Sequence, residues 1–112
     1  MTQAELHAAL ESTGLLVAYH HFAEGSGVDP PYIVYLVSDA TGWGSDERNE
    51  IKRTSYLVEL YTDKKDLETQ AKIESLFNVR GIRFGSVEGY IDSEKLYQVV
   101  YTIEFTQKIR GL

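Results

Sequence analysis

Residues 53–63, RTSYLVELYTD, carry the signals that decide the fold class. Their side chains alternate with a period of two, which predicts a β-strand because successive strand residues point to opposite faces of a sheet. Asp63 at the end of this stretch can cap a helix, and Asp66 in the first turn suits the positive end of the helix dipole. We therefore predict a strand that leads directly into a helix over about residues 64–78. The helix side that we expect to face the sheet carries Leu67, Ala71, Ile73, Leu76 and Phe77, with Ile73 toward its margin.

One helix and two extended segments precede this strand. Thr2 and Glu5 form the T-x-x-E pattern of a capping box at a helix start, and Gly14 supplies the helix stop. Residues 15–22 have strand composition, and the Gly- and Pro-rich stretch after them predicts a surface loop. Residues 32–39, YIVYLVSD, are apolar on both faces, which indicates a central strand.

The last third of the chain predicts a β-hairpin. Asp92, Ser93 and Glu94 interrupt two extended runs, and the final run alternates apolar with polar side chains. The resulting order is α-β-β-β-α-β-β, with connections between successive strands that are short enough for antiparallel pairing. We therefore expect a single α+β domain over residues 1–112, in which a mainly antiparallel sheet of four to five strands has two helices packed on one face.

Composition excludes several classes of site and partner. The 112 residues include no cysteine, so disulfides, thiolate nucleophiles and zinc sites with cysteine ligands are excluded. The 17 acidic and 11 basic residues give a net charge of -6, which disfavours binding to a phosphate backbone. No stretch has the roughly 18 apolar residues of a membrane span, and the N-terminus lacks the basic segment of a secretion signal. We expect a soluble, unexported protein that binds neither nucleic acid nor a membrane.

His20 and His21 are the most conspicuous candidates for chemistry, since adjacent imidazoles suggest a metal or catalytic site. Neighbouring residues of a strand project to opposite faces, so we expect these two side chains to point apart and to have structural or surface roles. His7 is the only other histidine, and no H-x-x-x-H or H-E-x-x-H spacing occurs. A small enzyme or metal protein built on His20 or His21 remains an alternative hypothesis.

Other catalytic patterns are missing from the sequence as well. No serine lies in a G-x-S-x-G elbow, and neither a G-x-G-x-x-G stretch nor a Walker lysine follows a predicted strand. Turns and helix caps explain the acidic pairs of the chain. We therefore expect a noncatalytic protein, with no catalytic residues, no metal and no cofactor.

The stretch 40–52 combines the features of an interaction loop. Trp43, the only tryptophan, lies between two glycines and close to Asp46, Glu47 and Arg48. Trp and Arg side chains often anchor interfaces, and glycine gives the backbone freedom. We predict a long loop or loose hairpin arm here, with Trp43, Asp46, Glu47 and Arg48 as candidate contacts to a partner. In the alternative interpretation, Trp43 folds back over the sheet as a lid.

The eight tyrosines suggest a second kind of surface. Nearly all of them fall in extended segments, at positions 19, 32, 35, 56, 61, 90, 97 and 101. We expect several of them on the sheet face opposite the helices, where tyrosine suits a partly wet interface. An alternative function is therefore a small protein- or peptide-binding module that uses a Tyr-rich sheet face. The high β-propensity of tyrosine explains the same pattern without any partner.

Three stretches carry a family resemblance: PPYIVY at 30–35, ELYTDKKDLETQAKIE at 59–74 and YIDSEKLYQVVYTIEF at 90–105. Together with the N-terminal helix, they make nearly the whole chain resemble the small tail-completion, tail-terminator or head-tail joining proteins of long-tailed phages and prophages of Gram-positive bacteria.

The resemblance implies a noncatalytic virion protein that forms a ring at the end of the tail tube or at its junction with the head. The implied partners are copies of the chain itself and tail-tube or head-tail connector proteins, and the implied location is the virion, with the host cytoplasm during assembly. Long loops of such proteins reach neighbouring subunits, which gives that role to the 40–52 stretch here. Trp43 between glycines departs from the aromatic, acidic and Asn-rich stretch that is usual in that loop.

Overall fold

The computed structural model describes residues 1–23, 25–44 and 49–110 and contains two helices and five strands within them. In chain order these are α1 (Gln3–Glu11), β1 (Leu16–Tyr19), β2 (Tyr32–Gly44), β3 (Asn49–Thr62), α2 (Leu67–Val79), β4 (Phe84–Ile91) and β5 (Leu96–Arg110). The predicted order and the α+β class are confirmed.

The five strands form one sheet in the order β1-β2-β3-β5-β4. Three of the four neighbouring pairs are antiparallel, as predicted, and β1 is parallel to β2. The parallel pair arises because the connection over residues 20–31 is a dozen residues long, which lets the chain return to the end of the sheet where β1 began.

Helix α1 begins at its predicted cap and ends at Glu11, two residues before the predicted end at Thr13. The side-chain oxygen of Thr2 accepts a 3.1 Å hydrogen bond from the amide of Glu5, and the amide of Thr2 donates to the Glu5 carboxylate at 2.8 Å. Hydrogen bonding by Thr2, first of all by its backbone amide, lowers the pKa of Glu5. Gly14 then takes a positive φ of 87°, a left-handed conformation in which glycine ends a helix without strain.

Helix α2 begins later than predicted, because Asp66 rather than Asp63 is its cap. One carboxylate oxygen of Asp66 accepts from the Thr69 amide at 3.0 Å, and the other accepts from the Thr69 hydroxyl at 2.7 Å. Both bonds lower the pKa of Asp66. The prediction of a helix from residue 64 was wrong because Asp63 and Asp66 are both acceptable caps and only Asp66 has a hydroxyl-bearing partner three residues on.

We expect Asp66→Ala to lower the free energy of unfolding by about 1 kcal/mol at neutral pH, and Asp63→Ala, its matched control, to change it by less than about 0.5 kcal/mol. Since the fold holds the pKa of Asp66 below its ordinary value of 3.8, the stabilisation is present above that pH and disappears as the pH falls through the lowered pKa. Urea unfolding of both variants at pH 7 and pH 3 measures this. Equal losses in the two variants would contradict the assignment of the cap.

The buried side of α2 also differs from the predicted one. Thr69, Ile73 and Phe77, spaced four residues apart, are its buried residues, while Leu67 is 69% exposed and Ala71 is exposed as well. Ile73, which the sequence placed at the margin, has no exposed surface. Leu67 and Ala71 point away from the sheet because each lies roughly 120–160° around the helix from Ile73.

A single cluster of buried side chains fills the space between the helices and one face of the sheet. Its members are Leu6, Leu10, Ile33, Tyr35, Tyr56, Val58, Leu60, Ile73, Phe77, Ile82, Val99, Tyr101 and Ile103. Aromatic rings form its centre, where Tyr101 meets Phe77 and Phe84 edge to face at centroid distances of 5.6 Å. The Tyr101 hydroxyl donates to the Glu74 carboxylate at 2.9 Å, so this buried phenol has a partner, and burial raises its pKa.

Candidate interaction surface

The face of the sheet opposite the core carries neither α1 nor α2. The strand register identifies its side chains, because Val34 lies beside Glu59, Glu59 beside Val100, and Val100 beside Val87. We call this surface the open face and define it by Leu16, Ala18, Tyr32, Val34, Leu36, Leu57, Glu59, Tyr61, Val87, Gln98, Val100 and Thr102. Leu16 and Val87, near its two edges, are 57% and 72% exposed. The open face is therefore an apolar surface with a polar region at one end.

The tyrosines do not make the open face Tyr-rich. By the register, only Tyr32 and Tyr61 of the eight lie on it. The other six alternate onto the helix side, where Tyr35, Tyr56 and Tyr101 are buried. The prediction that several tyrosines face away from the helices thus holds for two residues, because the helices cover the face on which most of the tyrosines lie.

Tyr61 is the centre of the polar region. Its hydroxyl donates to the Glu59 carboxylate at 2.9 Å and accepts from the Gln98 side-chain amide at 2.9 Å. Its ring stacks on Tyr32 with centroids 5.1 Å apart and 23° between the planes. Burial, followed by the hydrogen bond to Glu59, raises the pKa of Tyr61 to about 12. The network holds the Glu59 carboxylate in place among otherwise apolar neighbours.

His20 and His21 lie just beyond β1, and the prediction that they point to opposite faces of a strand was wrong. The strand ends at Tyr19, and His20 has a left-handed φ of 70°. The two Nδ1 atoms come within 3.3 Å of each other. Backbone conformation therefore overrides the alternation that a continuous strand would have imposed.

The three histidines have identified partners. His7 contacts the Tyr35 hydroxyl at 2.8 Å and the Glu11 carboxylate at 3.5 Å, while His20 and His21 contact each other. Within residues 1–23, 25–44 and 49–110, no group of three or more His, Asp or Glu side chains is arranged to hold a metal ion.

A concavity of about 330 Å³ opens on the open face beside the histidine pair. We call it the hollow, and its polar and aromatic lining comprises His20, His21, Phe22, Ser26, Tyr32, Glu59, Tyr61 and Glu94, with Val28 and Val34 as its apolar members. Burial, and then the nearby Glu94 carboxylate, raises the pKa of Tyr32. The hollow thus combines two carboxylates with a pair of stacked phenol rings.

Strands β2, β3 and β5 continue well beyond the core. We call this extension the arm, which comprises residues 39–44, 49–55 and 104–110. The register shifts between Val37 and Asp39, and the Ser38 hydroxyl donates to the Ser55 carbonyl at 3.1 Å, so a β-bulge marks the point where the arm leaves the core. The radius of gyration, 15.7 Å, exceeds the about 13 Å of a compact chain of this size, as an extension of this length requires.

The backbone of Trp43, one of the four predicted contact residues, lies in the arm. Strands replace much of the predicted 40–52 loop, and the backbone of Trp43 pairs with that of Ile51. This pairing agrees with the hairpin-arm interpretation for these residues. The side chain of Trp43, and residues Asp46, Glu47 and Arg48 entirely, lie outside what the structure describes. The ion pair between Arg53 and Glu104, at 3.5 Å, lies at the base of the arm and was missed because it joins strands that are remote in sequence.

The sequence matches no protein-family model and no curated protein. Neither described helix, at nine and 13 residues, has the length and apolar content needed to cross a membrane.

Proposed function

We propose that this chain is a noncatalytic structural subunit of a phage virion, of the tail-completion or tail-terminator kind. In this proposal it acts at the end of the tail or at the head-tail junction, where copies of the chain assemble into a ring. Its partners are further copies of itself and tail-tube or head-tail connector proteins, so it is located in the virion, and in the host cytoplasm while the virion assembles.

The observation that carries the proposal is the pairing of an open sheet face with an arm. A sheet face whose apolar side chains are not covered by a helix offers contact area to another chain. The arm adds reach, since the five residue steps from Asp39 to Gly44 span about 17 Å at the rise of an antiparallel strand. A subunit that touches its neighbours through one extended and one flat surface is suited to repeated assembly.

Ring formation requires that the two surfaces of one contact differ. An interface between identical patches closes at two copies, whereas contact between different patches continues from copy to copy and closes when the rotation permits. The open face and the arm are different surfaces of the same chain, and this supports a head-to-tail arrangement. The alternative of a peptide-binding module has less support, because Tyr32 and Tyr61 are the only tyrosines on the open face.

Deletion of the gene from the genome that encodes the chain tests the proposed function. If the subunit completes tails, electron micrographs of lysates from the deletion strain should show separate heads and tails, and a plasmid copy should restore joined particles. Normal, infectious particles from the deletion strain would contradict the proposal.

Trp43→Ala is the corresponding test of the arm. Because Trp is the side chain that interfaces most favour as an anchor, we expect the plasmid copy with this change to restore at least tenfold fewer joined particles than the unchanged copy. The purified variant should unfold at the same urea concentration, within error. A matched control is Leu67→Ala, an exposed position on α2 that should restore particles fully. Full restoration of joined particles by Trp43→Ala would show that the arm is not needed for assembly.

A further inference from the structure

The hollow has the chemistry of a site for an arginine side chain. It presents the rings of Tyr32 and Tyr61 together with the carboxylates of Glu59 and Glu94. Neither carboxylate has an ion-pair partner among the residues that the structure describes. A guanidinium group both stacks on aromatic rings and pairs with carboxylates, so it matches this lining better than a lysine ammonium does.

The chain itself carries a surface of the complementary kind at the end of α2. We call it the corner and define it by Val79, Arg80 and Arg83. Val79 is 86% exposed, the highest exposure among the large apolar side chains that the structure describes. Within the described part of the chain, Arg83 makes neither an ion pair nor a hydrogen bond, whereas Arg53 is paired with Glu104. Arg80 acts electrostatically on Glu5, where it helps to lower the pKa.

The corner and the hollow occupy different parts of the fold. The corner precedes β4, the edge strand at one side of the sheet, and belongs to the helix layer. The hollow lies on the open face, where the β1–β2 connection meets β2 and β3. Because the two surfaces do not overlap, one copy can use both at once, which is the condition for a continuing head-to-tail series.

We infer that the corner of one copy docks into the hollow of the next, with Arg83 placed between the phenol rings and the two glutamates. This inference rests on the proposed ring function and specifies one of its contacts. Charge complementarity favours a second copy as the occupant, because Arg83 of the corner is exposed, has no ion-pair partner among the described residues, and carries the charge opposite to that of Glu59 and Glu94. Val79 adds apolar contact at the rim of the hollow.

Cysteine cross-linking tests this contact cleanly, because the chain contains no cysteine of its own. Val79→Cys places a thiol in the corner, and Ser93→Cys places one in the exposed turn beside Glu94 while leaving both glutamates intact. When the two single variants are mixed at about 0.5 mM and oxidised, we expect mixed dimers to form at least tenfold faster than in a control mixture of Ala8→Cys with Ser93→Cys. Equal rates in the two mixtures would overturn the inference.

Charge exchange gives a second, independent readout. Arg83→Glu in the thiol-bearing corner variant should reduce the mixed dimer at least tenfold, and Glu94→Arg in the partner should restore much of it. If Arg83→Glu does not reduce the mixed dimer, or if Glu94→Arg does not restore it, the corner does not enter the hollow. Both substitutions are at exposed positions, and urea unfolding of each variant verifies that the fold is retained.

The outcomes separate this contact from the proposed function. If the deletion strain lacks joined particles and the cross-linking rates equal those of the control, the subunit is a tail protein whose ring uses other surfaces. If the cross-links form as expected and the deletion strain makes normal particles, the contact between copies is supported and the proposed role in the virion is contradicted.

Discussion

Phe77→Ala should lower the free energy of unfolding by about 3–5 kcal/mol, the largest stability effect that we expect from one substitution in this chain. Phe77 has no exposed surface and packs against Phe84 and Tyr101 at centroid distances of 5.4 and 5.6 Å. Its removal leaves a cavity where α2 meets β4 and β5. The backbone pairing of these strands with their neighbours fixes their positions, so they cannot move in to fill the cavity.

Urea unfolding followed by circular dichroism measures this effect. Leu67→Ala is the matched control on the same helix. Because Leu67 is 69% exposed, its substitution should lower the free energy of unfolding by less than about 0.5 kcal/mol. A loss below 1 kcal/mol for Phe77→Ala would show that α2 does not pack on the sheet as described.

Leu57→Lys should have the largest effect on assembly. Leu57 lies at the centre of the open face, on β3 between Leu36 and Thr102, and a charge there would have to be buried without a partner in any interface. We expect at least a hundredfold fewer joined particles when this variant replaces the normal copy in the deletion strain. The monomer should remain folded, because the long lysine side chain can reach water from a half-buried position.

The matched control is again on α2, where Leu67→Lys makes the same change at an exposed position outside the open face and should leave the particle count unchanged. If Leu57→Lys does not fold, Val87→Lys is tested in its place, since Val87 belongs to the open face and is 72% exposed. Normal particle counts with a folded open-face variant would mean that this face contacts nothing in the virion.

The elements that sequence reasoning predicted well depend on local signals. Thr2 and Glu5 are three residues apart, so their capping box forms wherever the rest of the chain lies. The β4–β5 turn is equally local, and the amide of Glu94 donates to the Ile91 carbonyl at 3.2 Å. The period of two along residues 53–63 likewise required no knowledge of the neighbouring strands.

The features that sequence reasoning missed depend on contacts between distant parts of the chain. Alternation shows that a strand has two faces, but each face of β3 carries large aliphatic or aromatic side chains, and alternation does not show which face α1 and α2 cover. That choice buries Tyr35, Tyr56 and Tyr101 and leaves Tyr32 and Tyr61 on the open face. The closeness of His20 and His21 results from one left-handed residue, for which the sequence offers no glycine as a signal.

The hollow could not be predicted either, because its lining comes from the β1–β2 connection, two strands and the β4–β5 turn. Glu59 and Glu94 are 35 positions apart in the sequence, and each alone is explained by a solvated surface. The candidate contacts near Trp43 were found from composition, and the structure adds that the backbone around Trp43 is part of an arm that a bulge at Ser38 separates from the core.

The most direct measurement locates the chain on intact particles. A copy with a short peptide tag, expressed in the deletion strain, can be detected on purified particles with a gold-labelled antibody and electron microscopy. We expect gold at the end of the tail or at the head-tail junction of most particles. Purified, infectious particles that carry neither gold nor the tagged chain would contradict it.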